Sequence, residues 1–377
     1  MTEGAVITRK LCLLGFGNVG RRFVELVARK SDELDANHGL RLLFSAVSTA
    51  HHGALLAPEG LTAAAVIEGC GCGPGAELDP QDLWTFPDPA RPSLELIAES
   101  GADVLIEATP LDPHGGRAAI AHIEEAFASG MDVVSVNKGP IAWDYHRLAG
   151  LADRRGRRLL FEGTVMDGCP VFDLFRSCLP GCRLLGFDAV FNATTNYILD
   201  RMGEGVGFAD ALAQVQAQGY AESDPSHDID GHDGAAKTAA LANVLMHARV
   251  TPDDIDKVSI RDVTPEQVAA VRAAGRRLRV VCSAMSTDVG LVAGGSPASS
   301  AGAPTGMGPG GGAPVRVFMG LAELTSDHPL FTANGSTLGV LLHTDLMGTI
   351  EVAEHDVLPD QTAYAIYTDL LALHEGR

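Results

Sequence analysis

Short apolar runs alternate with amphipathic segments through the first 160 residues of the chain. The apolar runs predict strands, and the segments between them have the spacing of helices with one apolar face. Strands that alternate with helices form βαβ units, so this half predicts an α/β domain with a parallel sheet. The predicted strands cover 11–14, 40–47, 102–106, 132–136 and 159–161, and the predicted helices include 94–99 and 115–129.

Residues 53–92 interrupt this alternation. They are rich in Gly, Pro and Ala, a composition that favours a loop, with one short helix near 61–66. Cys70 and Cys72 are the one close pair of the seven cysteines, and we interpret them as part of this loop.

The strict alternation stops after residue 160, and the second half is predicted to be a separate α+β domain. Residues 286–314 are dominated by Gly, Ala, Ser and Pro without periodicity, so they predict a surface excursion outside any core. The strands predicted here cover 182–191, 277–284, 315–321, 340–344 and 350–352, and the helices begin at Asn192, at Thr264 and over 208–218 and 362–374.

The first predicted strand leads into a glycine-rich turn of the form G-x-G-x-x-G, and a helical pattern follows it. Glycines in this context permit a tight turn and let a pyrophosphate approach the backbone N–H groups at the helix start. A glycine turn without a ligand is the alternative, but the order strand, turn, helix favours a Rossmann-type dinucleotide site. The residues of the turn are Gly15, Phe16, Gly17, Asn18, Val19 and Gly20.

Further candidate residues follow the ends of predicted strands, where ligands of parallel sheets bind. An NAD site usually offers an acid after the second strand, but this chain continues from Ser48 with Thr-Ala-His-His. The absence of an acid there favours NADP, or the use of both coenzymes. The candidate cofactor residues at strand ends are Ser48, Thr109, Pro110, Asn137 and Lys138.

A stretch rich in acids runs over residues 219–237 and precedes an apolar helical run. Pro225 and Gly231 favour a loop in its first part, and Asp230 is predicted to be the N-cap of the helix. Asp233 is then placed as a capping-box acid, and its i,i+4 spacing to Lys237 puts both side chains on one helical face.

Three interpretations of this stretch are open from the residues alone. The first is a solvated loop with a capped helix and a surface ion pair. The second is a divalent-metal site, but the spacing fails both the calcium-loop pattern and the i,i+4 spacing of a helical zinc pair. The third is an amino-acid site, in which carboxylates bind an ammonium group and Lys237 transfers a proton.

Composition narrows the function classes. The net charge of −20 argues against nucleic acid and anionic membranes as partners. No run of 18 apolar residues and no signal-peptide pattern is present in the sequence, and the seven scattered cysteines fit a reducing compartment. We therefore expect a cytoplasmic protein that binds a small molecule.

The order of several motifs resembles the homoserine dehydrogenase family, most closely its short form without a regulatory ACT domain. The likeness is strong over residues 10–260 and loose in the last third. It implies NAD(P)-dependent interconversion of L-homoserine and L-aspartate 4-semialdehyde in threonine, methionine and isoleucine biosynthesis. The motifs are G-F-G-N-V-G, E-A-T-P, N-K-G-P-I-A, E-G-T-V-M-D-G-C-P, N-A-T-T-N-Y-I-L and G-Y-A-E-S-D-P with D-I-D-G-H-D-G-A-A-K.

The resemblance also implies roles for individual residues. Lys237 corresponds to the proton-transferring lysine and Lys138 to a second lysine near nicotinamide and substrate. The implied substrate residues are Gly219, Glu222, Asp228, Asp233 and Thr164. A monovalent cation, Na⁺ or K⁺, is implied at Glu162, Val165, Asp167 and Cys169, largely through backbone carbonyls.

The resemblance implies two domains and a homodimer. The dinucleotide-binding domain is expected over 1–160, with the closing helix at 361–377 packed back on it. The catalytic and dimerisation domain is expected over 161–360, with a dimer built on its sheet.

The chain also departs from the family pattern. Met166-Asp167 replaces small residues, Leu338 replaces a frequent Asn, and residues 354–363 replace a glycine-rich turn. These departures leave two alternatives open: an oxidoreductase of this type that acts on another small hydroxy amino acid or semialdehyde, and a nucleotide-binding relative with little turnover.

Overall fold

The computed structural model of the chain divides into two compact units. The first comprises Met1–Pro140, His146–Cys169 and Pro359–Arg377, and the second comprises Ile141–Tyr145 and Pro170–Leu358. The residues that the structure describes are 6–70, 86, 91–218, 224–287 and 314–376.

The first unit is built on a six-stranded sheet with the order β3-β2-β1-β4-β5-β6. All neighbouring strands are parallel except β2 and β3. The strand order reverses between β1 and β4, and this switch point is where open α/β sheets bind their ligands. The strands are β1 (Ile7–Leu14), β2 (Leu40–Ser48), β3 (Ala54–Leu61), β4 (Val104–Glu107), β5 (Asp132–Ser135) and β6 (Leu159–Leu160).

Helices pack on this sheet because each presents an apolar stripe to it. Phe23, Val24 and Val27 of the first helix are almost fully buried. Ile366 and Leu370 of the last helix belong to the same core cluster, so the chain returns to the first unit at its end. The helices are α1 (Asn18–Glu33), α2 (Ala63–Gly69), α3 (Ser93–Ser100), α4 (Arg117–Ala128), α5 (Lys138–Arg155, shared by both units) and α12 (Pro359–Glu375).

The prediction of a loop at the start of residues 53–92 is wrong, because β3 covers Ala54–Leu61. This strand contains Pro58 and Gly60, which weaken the sequence signal for a strand. Both are tolerated because, among the described residues, β3 is at the edge of the sheet and pairs antiparallel with β2 only. Most of the remaining segment, including Cys72, lies outside the described residues.

The second unit contains a five-stranded antiparallel sheet with the order β11-β10-β7-β8-β9. The α/β class with a second, antiparallel-sheet unit is therefore confirmed. Residues 288–313 of the predicted excursion lie outside the described part of the chain. The strands are β7 (Leu184–Val190), β8 (Arg277–Ser286), β9 (Val315–Leu324), β10 (Leu338–Thr344) and β11 (Thr349–Glu354).

Two helices of the second unit begin at side-chain caps that the sequence provides. Asn192 accepts a hydrogen bond from Thr195 N–H at one helix start, and Thr264 with Gln267 forms a capping box at another. No helix in the described residues is long and apolar enough to cross a membrane. The helices are α6 (Val171–Asp173), α7 (Ala193–Met202), α8 (Phe208–Ala217), α9 (Ser226–Ile229), α10 (His232–Leu245) and α11 (Pro265–Ala273).

The start of α10 differs from the prediction. The N-cap is Gly231 with φ +81°, not Asp230, and the segment predicted as loop contains the short helix α9. Asp230 instead accepts hydrogen bonds from Arg261 at 2.7 and 2.9 Å and from Ser259 at 2.9 Å. Asp230 therefore binds Arg261 instead of capping α10, and the adjacent Arg261 guanidinium lowers the pKa of Asp230.

Candidate functional site

Two glycines of the turn in the first unit, Gly15 and Gly20, are tightly packed, whereas Gly17 borders open space. A Cβ at Gly15 (φ +94°) would lie 2.2 Å from Ala108 O, and one at Gly20 would lie 2.1 Å from Gly15 O. Gly15 therefore lets β1 approach the end of β4, and Gly20 lets α1 approach the turn. A Cβ at Gly17 would meet nothing within 4 Å, so space for a ligand adjoins the backbone at the start of α1.

The start of α1 offers backbone donors to an anion. Gly17 is its N-cap and no side chain caps the helix. Arg21 is buried and donates to Asn18 Oδ1 at 2.9 Å, which ties the first turn together. The side chain of Phe16 is buried, with its ring centroid 5.3 Å from that of Phe86, so Phe16 can contact a ligand chiefly through its backbone. These features fit a dinucleotide pyrophosphate.

The predicted residues at strand ends come together beside this turn. Gly15 N–H donates to Ser48 O at 3.0 Å. Asn137 Nδ2 donates to Thr109 Oγ1 at 3.2 Å and to Pro110 O at 3.3 Å, which joins the loops after β4 and β5. The same Asn137 caps α5 by accepting from Gly139 N–H at 2.9 Å.

Glu107, for which the sequence patterns predicted no role, organises these loops. Its carboxylate is fully buried at the end of β4, where it accepts from Thr109 N–H at 3.0 Å and from the Thr109 hydroxyl. On its other side it contacts His122 Nδ1 at 2.7 Å, and His122 Nε2 contacts Ser93 Oγ at 2.6 Å. A lone acid inside the apolar strand V-L-I-E is the signal that could have identified it.

Lys138 is the first residue of α5 and is half-buried. It follows directly on Asn137 at the carboxyl end of β5, so its backbone belongs to the same strand-end group. Its proposed role near the nicotinamide stays a prediction.

The second unit buries an amine. Lys237 is 8% exposed, and its Nζ lies 3.3 Å from Asp233 Oδ2 and donates to Phe191 O at 2.9 Å. Small residues bring α10 close to the sheet, since a Cβ at Gly234 would lie 2.9 Å from Met319 Cε and 3.2 Å from Cys282 Sγ. The side chains of Lys237 and Asp233 are only 10% and 9% exposed, so the interpretation as a surface ion pair is wrong.

Asp228 completes this cluster. Asn192 Nδ2 donates to Asp228 Oδ1 at 2.7 Å and to Asp233 Oδ2 at 3.2 Å, and Thr194 Oγ1 donates to Asp228 Oδ2 at 2.9 Å. Burial raises the pKa of Asp228, and the neighbouring Asp233 raises it further. The three predicted residues Asp228, Asp233 and Lys237 therefore form one acid–amine cluster held by Asn192 and Thr194, in which Asp233 and Lys237 are buried and Asp228 is half-buried.

Two predicted substrate residues, Gly219 and Glu222, lie outside the described residues. The predicted Thr164 is fully buried in the first unit, where its N–H donates to Phe161 O at 3.1 Å and closes a 3₁₀ turn, and its hydroxyl donates to the same oxygen at 2.8 Å. Its contact with a substrate stays a prediction.

The residues expected to hold a cation form a compact turn of the first unit. Glu162 and Val165 are buried, and Cys169 N–H donates to Met166 O at 2.7 Å. Asp167 has φ +46°, and its carboxylate accepts from Thr362 Oγ1 at 2.8 Å. No group of three or more His, Cys, Asp or Glu side chains within 6–70, 86, 91–218, 224–287 and 314–376 is arranged to hold a metal ion. Binding of a cation by backbone carbonyls stays a prediction.

The departures from the family pattern have structural roles. Leu338 is buried at the start of β10. In the segment that replaces the glycine-rich turn, Asp356 takes φ +55°, and the neighbouring His355 Nδ1 contacts Thr337 Oγ1 at 3.2 Å. An L-residue thus occupies left-handed backbone that favours glycine.

The first unit has a glycine turn at the switch point of its parallel sheet, and the second unit has a buried amine flanked by carboxylates. Both features are typical of a dinucleotide-dependent oxidoreductase. The family model of homoserine dehydrogenase matches residues 170–371, and the model of the homoserine dehydrogenase NAD-binding domain matches residues 15–162. The chain belongs to the homoserine dehydrogenase family.

Individual relatives agree with this assignment. The chain is 30% identical over 368 residues to an NAD(+)-dependent homoserine dehydrogenase of Pseudomonas canavaninivorans, covering 97% of this chain and 96% of that protein. It is 32% identical over 275 residues to a homoserine dehydrogenase of Methanocaldococcus jannaschii, covering 72% of this chain and 79% of that protein.

Solved structures show the same fold. A homoserine dehydrogenase from Thermoplasma acidophilum has a TM-score of 0.77 at 22% identity, covering 98% of this chain and 100% of that one. A hyperthermophilic archaeal homoserine dehydrogenase in complex with NADPH has a TM-score of 0.73 at 24% identity, covering 98% and 99%. The predicted family, fold class, enzyme class and NAD(P) dependence are confirmed.

Proposed function

We propose that this chain interconverts L-homoserine and L-aspartate 4-semialdehyde, and that Lys237 transfers the proton of the reaction. The observation that carries the proposal is the buried amine of Lys237, whose Nζ lies 3.3 Å from Asp233 Oδ2, in a member of the homoserine dehydrogenase family. Bound NAD(P)H supplies the hydride. Reduction of the aldehyde leaves charge on its oxygen, and a positioned lysine protonates that oxygen.

The cluster around Lys237 favours this direction of proton transfer. Carboxylates near an amine stabilise its ammonium form, which is the donor needed for aldehyde reduction. In alcohol oxidation the amine must be neutral to accept a proton. Oxidation of homoserine is therefore expected to be faster at alkaline pH.

The activity is tested by absorbance at 340 nm, with L-homoserine and either NAD or NADP at pH 9. We expect a homoserine-dependent rise, and the ratio of kcat/KM values for the two coenzymes gives the coenzyme preference. Other small hydroxy amino acids are assayed as alternative substrates, because the turn at His355 and Asp356 departs from the family pattern and could change the substrate specificity. No rise with homoserine, or a larger kcat/KM with another substrate, would refute the proposed substrate.

Glu222 is proposed to bind the amino group of the substrate. An ammonium group carries its charge in both the ground state and the transition state, so loss of the carboxylate removes uniform binding. We expect Glu222→Ala to raise KM for homoserine by about tenfold or more, with kcat within about threefold. Steady-state kinetics of Glu222→Ala, with Glu266→Ala as a control at an exposed glutamate, test this role. A fall in kcat at unchanged KM would contradict it.

We propose further that the chain forms a homodimer through its second unit. The support is the family likeness and the antiparallel sheet, whose edge strands β9 and β11 each pair with one strand among the described residues. Light scattering during size-exclusion chromatography measures the mass directly. A mass near twice 39.4 kDa is expected, and a monomer at micromolar concentration would contradict the proposal.

A further inference from the structure

The second unit contains a cavity of about 360 Å³ that is lined by none of Lys237, Asp233 and Asp228. It lies where the end of α7, the turn after α11 and the first residues of β8 meet. Four arginines line it within eight residues of sequence, together with two acids: Arg272, Arg276, Arg277 and Arg279, and Asp200 and Glu204. The lining thus carries a formal charge of +2 (four minus two) in a chain whose net charge is −20.

One of these arginines is structural. Arg279 is 1% exposed and donates to Asp200 Oδ1 at 2.6 Å, to Ala333 O at 2.7 Å and to Leu278 O at 2.8 Å. Its guanidinium is satisfied by the protein, and we assign it no ligand.

Arg277 is different because its guanidinium is held in place without being satisfied. Its Cζ lies 4.6 Å from the centroid of the Phe331 ring, a cation–π contact that favours this position of the group. Its Nη1 is shielded from solvent and has no hydrogen-bond partner among the described residues. A ligand in the cavity does not reach Nη1 itself, but Arg277 lines the cavity and has no acid within 4 Å of its guanidinium among the described residues, so its positive charge suits the cavity to an anion.

Two further arginines at the cavity are free to change partners. Arg272 is exposed and lies 3.4 Å from Glu204, which also pairs with Arg201. Arg276 pairs with Glu323, and both of these side chains are 42% exposed. Exposed ion pairs contribute little stability, so an anion can recruit these guanidinium groups at small cost.

We propose that this cavity is a binding site for a small oxyanion, a phosphate or carboxylate group, that is held by Arg277 with help from Arg272. Planar guanidinium groups bind such oxygens in pairs, which makes arginine rather than lysine the suitable residue. None of the residues that line the cavity belongs to the cofactor turn or to the acid–amine cluster, so the proposed oxyanion is a ligand additional to the cofactor and the substrate.

Calorimetric titration tests the proposal, with inorganic phosphate in one arm and succinate in the other. The enzyme is saturated with NADH so that the glycine turn is filled, and ionic strength is kept low because salt screens such contacts. The variants are Arg277→Gln, which removes the charge, and Arg277→Lys, which keeps the charge but lacks the planar pair of N–H donors. Arg316→Gln is the matched control, because Arg316 is an exposed arginine of the same unit outside the cavity.

The expected result is saturable binding of at least one probe at one site per chain. Its Kd should rise about tenfold or more in Arg277→Gln, about threefold or more in Arg277→Lys, and stay unchanged in Arg316→Gln. The arm with the lower Kd identifies the ligand as phosphate-like or carboxylate-like. Absence of saturable binding in both arms, or equal Kd values in wild type and both Arg277 variants, would overturn the proposal. If Arg277→Gln does not fold, the Arg277→Lys comparison decides.

Discussion

Asn192 joins two carboxylates that would otherwise repel each other. One Nδ2 group donates to both Asp228 and Asp233, and the side-chain oxygen of the same residue caps α7. The cap fixes the position of the amide, and the amide fixes the acids beside Lys237. The position of Lys237, the proposed proton donor, thus depends on Asn192, which acts through Asp228 and Asp233.

Asp228 is predicted to lower stability while it supports function. Its pKa is raised above the ordinary value of 3.8, chiefly by burial, so the charged form destabilises the folded state when the pH is above that raised pKa. We expect Asp228→Asn to have a higher Tm than wild type at pH 8 and a kcat/KM at least about tenfold lower. Each unit by which folding raises the pKa of this carboxyl corresponds to about 1.4 kcal/mol of folding stability lost at a pH above the raised pKa.

The sign of the pH dependence provides the control. The Tm advantage of Asp228→Asn should shrink as the pH falls through the raised pKa, because the wild-type carboxyl is then protonated and neutral. Thermal unfolding over a series of pH values from 8 downward measures it, and Asp256→Asn at an exposed site should show no such trend. A Tm advantage that grows toward acid pH would contradict the assignment.

The sequence predicted part of this cluster. The i,i+4 spacing of Asp233 and Lys237 follows from helix geometry and needs no tertiary information. The partners Asn192 and Thr194 are 41 and 34 residues away from the acids they bind, and no local pattern reports such pairings. Glu107 was missed for the same reason, since its partner His122 is 15 residues away on another element.

At the scale of elements, the three glycines of the cofactor turn have different tasks. Gly15 and Gly20 permit close packing of backbone, whereas Gly17 borders open space. The motif pattern predicted the turn but not this division, because the division depends on which atoms of β4 and of the turn lie against each glycine.

Alanine substitutions separate these tasks. Gly17→Ala should leave Tm nearly unchanged, because its φ of −83° suits alanine and the added Cβ meets nothing. Its Kd for NAD(P)H should rise about tenfold or more, since the methyl group fills space needed by the pyrophosphate. Fluorescence titration with NADH or NADPH measures this Kd, and Gly69→Ala is the control at another open glycine.

Gly20→Ala should behave in the opposite way. Its added Cβ would lie 2.1 Å from a backbone oxygen, so the helix or the turn must shift, at a cost of about 1–3 kcal/mol. Thermal unfolding should show a clearly lower Tm. Equal Kd values for Gly17→Ala and wild type, or an unchanged Tm for Gly20→Ala, would contradict the division.

Element boundaries were predictable where periodicity was strong and wrong where tertiary partners decided. The parallel strands and α12 follow from apolar runs and helical spacing. Strand β3 was missed because an edge position tolerates Pro58 and Gly60, and the cap of α10 was misassigned because Arg261 binds Asp230. In both cases a distant element changed the preference of the local sequence.

At the scale of the molecule, the chain combines a dinucleotide-binding unit with a unit that buries an amine among acids. The chain belongs to the homoserine dehydrogenase family, and in the reaction that we propose for it the cofactor supplies hydride and Lys237 supplies the proton. Each part is therefore expected to be required for turnover and dispensable for the integrity of the other unit.

The turnover number of Lys237→Ala, measured at 340 nm together with its Kd for NAD(P)H, tests this account most directly. Removal of a general acid is worth about 10²–10⁴ in rate, so we expect kcat to fall about 10²-fold or more while the Kd stays within about twofold. Lys257→Ala, at another lysine of the second unit, should retain wild-type kcat. A Lys237→Ala enzyme with kcat within about twofold of wild type would contradict the proposed mechanism.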